Sequence, residues 1–251
     1  MDEITIRFFG KEPGRDLQAP VLIEGLPGVG HVGKLVAEHM IRELGAEKVA
    51  EIESIYFPPQ VIIDEDGTVR LANNEIYYHD GGDRQFLFLV GDYQATSAEG
   101  HYLLADAYLD VATACGVTRV YTLGGYGVGR LVEEPRVLGA VNRPDLKIEA
   151  ESAGAIVSRD EPGGGIIGAA GLLLGMGLSR GVEGICLMGE TSGYLVDPKS
   201  AASLLRVLNT LLNLSIDPSL LEQRAEEMEH MLQKLVDTER VSQDEELRYF
   251  V

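Results

Sequence analysis

The stretch that most constrains the fold of this chain is residues 19–44, APVLIEGLPGVGHVGKLVAEHMIREL. It begins with a continuous apolar run of the kind that forms a buried strand. Glycines and a proline interrupt this run at residues 25–30, and an apolar pattern with helical spacing begins near His31. A strand, a glycine turn and a helix in this order are typical of the start of an α/β domain with a parallel sheet.

The turn carries the pattern Gly28-x-Gly30-x-x-Gly33, which matches the dinucleotide-binding fingerprint. In that fingerprint the glycines permit a tight turn, the approach of a pyrophosphate and close packing of the helix on the strand. An acid that holds a ribose is expected about 20 residues later, and Glu53 lies near that position. Because any tight strand-to-helix turn also requires glycine, both nucleotide binding and backbone packing remain open.

Further strands and helices are predicted along the chain. A turn rich in acids at residues 64–68 predicts a β-hairpin, and a glycine-dense helix is predicted over residues 163–178. The Asp197-Pro198 pair predicts the start of another helix. Continuous apolar runs predict central strands at residues 85–90, 119–123 and 185–189. The order of these elements predicts an α/β domain with a mixed, mostly parallel sheet.

The last part of the chain is predicted to be a helical extension of that domain. Asp217-Pro218 repeats the helix-start signal, and the pattern that follows stops at Glu239. A seam of apolar residues spaced four and three apart covers about two heptads: Leu221, Ala225, Met228, Leu232 and Leu235. The residues after the seam predict a mobile, charged tail with an apolar tip. The predicted domains are residues 1–214 and 215–251.

The charge of the chain excludes two classes of partner. Its 40 Asp and Glu residues against 21 Lys and Arg give a formal net charge of −19, which repels nucleic acid and anionic membranes. An acid excess of this size is typical of adaptation to high salt, but it also occurs in ordinary acidic cytosolic proteins, and both interpretations stay open. Cys115 and Cys186 lie in apolar runs and no metal-ligand spacing occurs, so we expect a cytoplasmic protein without disulfide or metal.

The loops that follow the predicted strands contain candidate catalytic groups. Asp92 or Glu190 could act as a base, and Arg130 could hold an anion. However, no GxSxG nucleophile elbow occurs. The near-match to a phosphate-binding loop has Leu35 where a Ser or Thr must bind magnesium. The sequence therefore predicts a protein that is not an enzyme, and loop hydrogen bonding is the simpler role for these polar residues.

Several stretches together resemble the archaeal members of the proteasome assembly chaperone 2 family: LIEGLPGVGHVGKLVAEHMI, YFPPQ, FLVGDYQ, LGGYGVG, GLLLG and GICLMGETSGYLVDPKSA. Their order and spacing over residues 18–214 make the resemblance specific. It implies a three-layer α/β sandwich similar to the nucleoside phosphorylases, without their catalysis. It also implies a homo-oligomer that docks on the α-ring of the proteasome core particle through its C-terminal tail.

The resemblance assigns the docking role to the last three residues. Chaperones and activators of this kind end in a hydrophobic residue, a tyrosine and any residue, and this chain ends in Tyr249, Phe250 and Val251. We therefore expect a non-enzymatic, assembly chaperone-like or adaptor protein that needs no cofactor and binds proteasome α subunits and itself. The alternative is an enzyme or sensor that binds a nucleotide or nucleoside at residues 28–33 and the facing loops.

Overall fold

A computed structural model of the chain describes residues 2–9, 17–82, 84–158 and 164–248, with side chains as far as residue 234. The strands in these ranges are β1 (Ile4–Phe8), β2 (Val21–Glu24), β3 (Glu47–Ser54), β4 (Val61–Ile63), β5 (Val69–Leu71), β6 (Asn73–Asp80), β7 (Gln85–Gly91), β8 (Arg119–Gly127), β9 (Val137–Val141) and β10 (Glu183–Thr191). The α-helices in the same ranges are α1 (Val32–Leu44), α2 (Ala98–Ala114), α3 (Leu146–Ser152), α4 (Ala169–Ser179), α5 (Pro198–Leu212) and α6 (Ser219–Arg248).

Eight of these strands form one sheet in the order β1-β3-β6-β7-β2-β8-β10-β9. The four central strands β7, β2, β8 and β10 are parallel, and antiparallel strands flank them on both sides. Strands β4 and β5 form a separate two-stranded hairpin, as the sequence predicts. Because the central strands are parallel, their carboxyl ends meet at one edge of the sheet, where the loops that follow them converge.

Helices cover both faces of the sheet, which gives the predicted three layers. Ile23 points to the face that α1 and α5 cover, where it packs in one cluster with Met40. Leu22 points to the opposite face, where it lies in a cluster with Leu109 of α2 and Leu173 of α4. Successive side chains of a strand point to opposite faces of the sheet. A strand that is covered on both faces, such as β2, therefore has a continuous apolar run in its sequence.

The glycine-dense helix is shorter than the sequence predicts. The prediction placed it over residues 163–178, but α4 begins at Ala169. Gly164, Gly165 and Gly168 have φ angles of 97°, 147° and 87°, which a right-handed helix cannot contain. These glycines therefore form the approach to the helix, and α4 itself packs against α2 and β10.

Strand β8 is longer than predicted. The sequence indicated an end at Leu123, yet the strand stays paired with β10 until Gly127 lies opposite Thr191. The glycines in this part of the strand allow another segment to approach closely, since a Cβ on Gly125 would collide with the carbonyl oxygen of Val29. The glycines after Leu123 are therefore part of the sheet.

Helix α6 starts after Asp217-Pro218 as predicted and packs against α5. Leu221 and Ala225, the first two residues of the apolar seam, are buried in this contact. The prediction ended the helical pattern at Glu239, but the backbone remains helical as far as Arg248. No helix in the part of the chain that the structure describes is long and apolar enough to cross a membrane.

We expect the melting temperature to rise with salt. The net charge of −19 makes the folded chain repel itself, and at 1 M salt the screening length falls to about 3 Å. Thermal unfolding should therefore be recorded in 0.1 M and in 2 M potassium chloride. A melting temperature that is the same in both would contradict adaptation to high salt.

Candidate functional site

The glycine turn after β2 is packed tightly against the central strands. Gly33, in the first turn of α1, lies against β8, and a Cβ there would collide with the carbonyl oxygen of Leu123. Gly25 meets Ala37 and the backbone of Gly33 in the same way. These contacts bring α1 down onto the sheet, which only residues without a side chain permit.

The loop that follows β10 covers the other side of this turn. Gly30 has a φ of 63°, and a Cβ there would lie 2.8 Å from the hydroxyl oxygen of Thr191. The carbonyl oxygen of Gly30 accepts a hydrogen bond of 2.9 Å from the backbone N–H of Asp197. The carbonyl oxygen of Gly28 accepts a hydrogen bond of 3.0 Å from the backbone N–H of His31, so this bond also lies within the turn. At Gly30 the turn is therefore covered by protein groups, and the N–H of His31 is already bonded within the turn, which disfavours the approach of a pyrophosphate.

The other parts of a nucleotide site are used elsewhere. Glu53, the candidate ribose ligand, lies in β3, which β6 and β7 separate from β2, and it accepts hydrogen bonds of 2.8 and 2.9 Å from Arg7. Lys34 donates to the carbonyl oxygen of Gly91 at 2.8 Å. The structure therefore does not bring the predicted nucleotide-binding groups together, and the packing role of the turn is favoured.

Asp92 is held in an ion pair rather than poised as a base. Its carboxylate accepts from two guanidinium nitrogens of Arg70, at 2.5 and 3.0 Å, and from the backbone N–H of Asn73 at 3.1 Å. Partial burial alone would raise the pKa of Asp92, but these hydrogen bonds outweigh it and lower the pKa. A carboxylate stabilised in this way is a weak base.

Glu190 is also held in an ion pair, with Arg136. The carboxylate accepts from Nε of Arg136 at 2.9 Å and from a second guanidinium nitrogen, which lowers its pKa despite partial burial. Arg130 lies in the exposed loop after β8 and adds a smaller charge effect on Glu190. Since β2 and β8 lie between β7 and β10, three strand spacings, roughly 14 Å, separate the backbones that carry Asp92 and Glu190, and the two carboxylates are paired with different arginines.

The residues predicted to bind the proteasome lie outside the described residues. Tyr249, Phe250 and Val251 follow directly on α6, so the structure gives only the helix that leads to them. Within the described residues, no group of three or more His, Cys, Asp or Glu side chains is arranged to hold a metal ion. No candidate active site is therefore assembled from the residues that the sequence singled out.

Comparison with known proteins then assigns the family. Residues 22–236 match the model of the PAC2 family. The chain belongs to the PAC2 family. This confirms the resemblance found in the sequence, and PAC2 proteins are proteasome assembly chaperones and activators rather than enzymes. An uncharacterized protein of Methanocaldococcus jannaschii is 42% identical over 219 residues, which covers 87% of this chain and 84% of that protein.

Solved structures agree with this assignment. Pyrococcus furiosus PbaB, described as an archaeal proteasome activator, is 42% identical with a TM-score of 0.88, and the match covers 94% of this chain and 99% of PbaB. Pyrococcus furiosus PbaA, described as an archaeal homolog of proteasome-assembly chaperone, has a TM-score of 0.79 at 24% identity over 99% of this chain and 98% of PbaA. At that identity PbaA shows the fold alone. The comparisons support a role in proteasome assembly or activation.

A buried polar row crosses the sheet of this PAC2 protein, and the sequence analysis missed it. Glu24, Thr122 and Cys186 are direct neighbours on β2, β8 and β10, so their side chains share one face of the sheet. All three are buried, and Oε2 of Glu24 has no hydrogen-bond partner among the residues that the structure describes. On the same face, Asn74 and the hydroxyl of Tyr108 share a hydrogen bond of 2.6 Å.

Burial perturbs the ionisable members of this row. It raises the pKa of Glu24 to about 8, against backbone hydrogen bonds from Leu26 and Leu123 that lower it. It also raises the pKa of the Cys186 thiol to about 12 and raises that of Tyr108. Leu26 closes over Glu24, since its N–H donates to the carboxylate at 2.9 Å. The row is therefore part of the core and closed to solvent. In the sequence, the only sign of it is an acidic residue, Glu24, directly after the apolar run of β2.

A groove of about 640 Å³ lies between α6 and the loops that follow β8 and β10. Its lining mixes apolar residues such as Leu131, Leu195 and Met228 with charged ones such as Glu133 and Lys199. Leu131 is 67% exposed.

Proposed function

We propose that this PAC2 protein is a cytoplasmic, non-enzymatic chaperone or adaptor. It docks on the α-ring of the proteasome core particle through Tyr249, Phe250 and Val251, and it acts as a homo-oligomer. The observation that carries this proposal is the similarity to Pyrococcus furiosus PbaB, an archaeal proteasome activator, at 42% identity over 94% of the chain.

Helix α6 supports the proposal because its first turns are fixed to the domain and the helix continues beyond them towards the last three residues. Leu221 is fully buried, and ion pairs join Glu222 and Glu229 of α6 to α5. Beyond Gln233, which still lines the groove beside the domain, the helix continues for 15 residues to Arg248, which corresponds to about 22 Å. The helix can therefore present the last three residues to a partner without unfolding the domain.

The chemistry of the tail fits capture of a chain terminus. An aromatic ring can fill an apolar pocket while the free α-carboxylate pairs with a lysine of the partner. Burial of one aromatic side chain contributes roughly 1.5–3 kcal/mol, so a single tail binds weakly. Several tails on one oligomer would bind more tightly because the first contact raises the effective concentration of the others.

We expect Phe250→Ala, and separately a two-residue extension after Val251, to lose binding to the core particle while the fold and the oligomer persist. The first change removes the ring, and the second moves the carboxylate away from its lysine. Phe250→Tyr should bind as well or better, because it restores the hydroxyl of the family's tail motif. Surface plasmon resonance on immobilised core particle measures each of these affinities.

Tyr102→Ala is the matched control for these tail variants. Tyr102 is an aromatic residue of α2 that is 58% exposed, so its loss tests whether any exposed ring affects binding. We expect this variant to bind like the intact chain. If the extended chain bound as tightly as the intact chain, carboxylate capture by the α-ring would be wrong.

A further inference from the structure

The β4–β5 hairpin presents an aliphatic face to solvent. Val61 lies opposite Leu71, and Ile63 lies opposite Val69, so all four side chains share one face of the ribbon. Their exposed fractions are 50%, 49%, 71% and 63%. Four adjacent aliphatic side chains with this exposure form a contiguous apolar patch, which is the kind of surface through which proteins associate.

The opposite face of the hairpin is fastened to the domain. Arg70 of β5 donates to both oxygens of Asp92 and, through Nε, to Asp64 at 3.2 Å. The pair with Asp92 joins the ribbon to the end of β7, whereas the pair with Asp64 lies within the hairpin. The aliphatic face is therefore held outward and cannot turn back onto the core of its own chain without breaking the pair with Asp92.

A depression at the root of the hairpin continues this face. It encloses about 570 Å³, and its apolar wall includes Ile55, Pro58 and Pro59 together with Val61 and Leu71. Ile55 is 52% exposed. The same surface thus combines a protruding aliphatic pair near the tip, Ile63 and Val69, with an apolar hollow beside it.

We infer that this hairpin face is the contact between two copies of the chain. With a two-fold axis between the copies, the Ile63–Val69 pair of each copy enters the hollow of the other, so one patch supplies both halves of an isologous interface. The inference rests on the proposed homo-oligomer and names its surface. Two other apolar surfaces are at least partly used within the chain, since α4 packs on α2 and the start of the α6 seam, Leu221 and Ala225, is buried against α5.

Charges around the face predict how the contact depends on salt. The tip of the hairpin carries Asp64, Glu65 and Asp66, and the rim of the hollow carries Asp2 and Glu53. The two-fold arrangement brings acids of one copy near acids of the other. Because salt screens this repulsion while the aliphatic contact persists, association should strengthen as salt rises.

Sedimentation velocity of the full chain tests the inference, with Ile63→Glu and Val69→Glu as the interface variants. Each variant places charges in the aliphatic contact and should sediment with half the mass of the intact protein or less, at micromolar concentration in 1 M potassium chloride. The matched control is Ile148→Glu on α3, because Ile148 is 73% exposed and undergoes the same chemical change. The control should keep the mass of the intact protein.

The possible failures are distinguishable. If the intact chain sediments as a 27.2 kDa monomer at both low and molar salt, the proposed homo-oligomer is wrong and this surface with it. If the intact chain is oligomeric and both hairpin variants keep its mass, the oligomer stands and the hairpin contact is overturned. Unchanged melting temperatures of the variants would show that any loss of mass reflects the interface and not unfolding.

Discussion

Replacing Gly33 with valine is expected to destabilise the fold by about 3 kcal/mol or more, the upper part of the range for overpacked sites. The new side chain would collide with the carbonyl oxygen of Leu123 and the backbone of Gly124, which belong to a central strand and cannot move aside cheaply. Helix α1 would have to lift from the sheet, exposing apolar residues such as Val36 and Met40 that are now fully buried.

Urea denaturation of the variant measures this cost, and Gly28→Ala is the control within the same turn. At Gly28 the φ angle is −151°, and a Cβ would lie no closer than 4.0 Å to its neighbours. We expect the alanine variant to unfold within about 1 kcal/mol of the intact chain. Equal stability of the Gly33→Val variant and the intact chain would contradict the packing role of the turn.

The second large effect concerns Glu24 and depends on pH. Its pKa of about 8 in the folded chain lies above the usual value of 4.5, because burial disfavours the charged carboxylate. Between these two pH values the folded chain binds more protons than the unfolded chain, so the free energy of unfolding falls as pH rises. The loss from this group amounts to roughly 4–5 kcal/mol across the window.

Glu24→Gln removes the titrating group and should remove this loss. The free energy of unfolding of the variant minus that of the intact chain is expected to rise by several kcal/mol between pH 5 and pH 8.5. Comparing the difference at two pH values cancels any constant cost of placing an amide in the row. Tyr108 and Cys186, the other titratable groups facing Glu24, ionise above this window because burial raises their pKa.

The control for this measurement is Glu65→Gln in the exposed turn of the hairpin. It makes the same chemical change at an exposed position, so its pH series is the reference against which the difference for Glu24→Gln is judged. If the difference in free energy of unfolding between Glu24→Gln and the intact chain stayed constant with pH, Glu24 would be charged in the folded chain. The description of Glu24 as a buried, neutral acid would then be wrong.

Local patterns were sufficient to predict much of the fold. The continuous apolar runs marked the buried central strands, the acidic turn marked the hairpin, and Asp197 before Pro198 marked the start of α5, where its side chain accepts from the N–H of Ser200. Each of these signals acts through residues close in sequence. Errors arose where distant pairing decides the structure, as when β8 continued through its glycines because β10 provides a partner up to Thr191.

The candidate site was harder to predict for the same reason. The sequence offered Asp92 and Glu190 as free carboxylates, because nothing nearby indicates that Arg70 and Arg136 pair with them. The glycine pattern at residues 28–33 fits a phosphate loop as well as a packing turn, and the contact with β8, which no local pattern reveals, favours the packing turn. Gly33 was nevertheless identified correctly as the residue that brings the helix to the sheet.

Binding of the intact chain to immobilised proteasome core particle, compared with a chain that lacks Tyr249, Phe250 and Val251, tests the central claim most directly. The two proteins should share the same circular dichroism spectrum and the same sedimenting mass, because α6 is anchored on α5 far from these residues. We predict saturable surface plasmon resonance binding for the intact chain and none for the shortened chain. Equal binding by both would contradict docking through the tail.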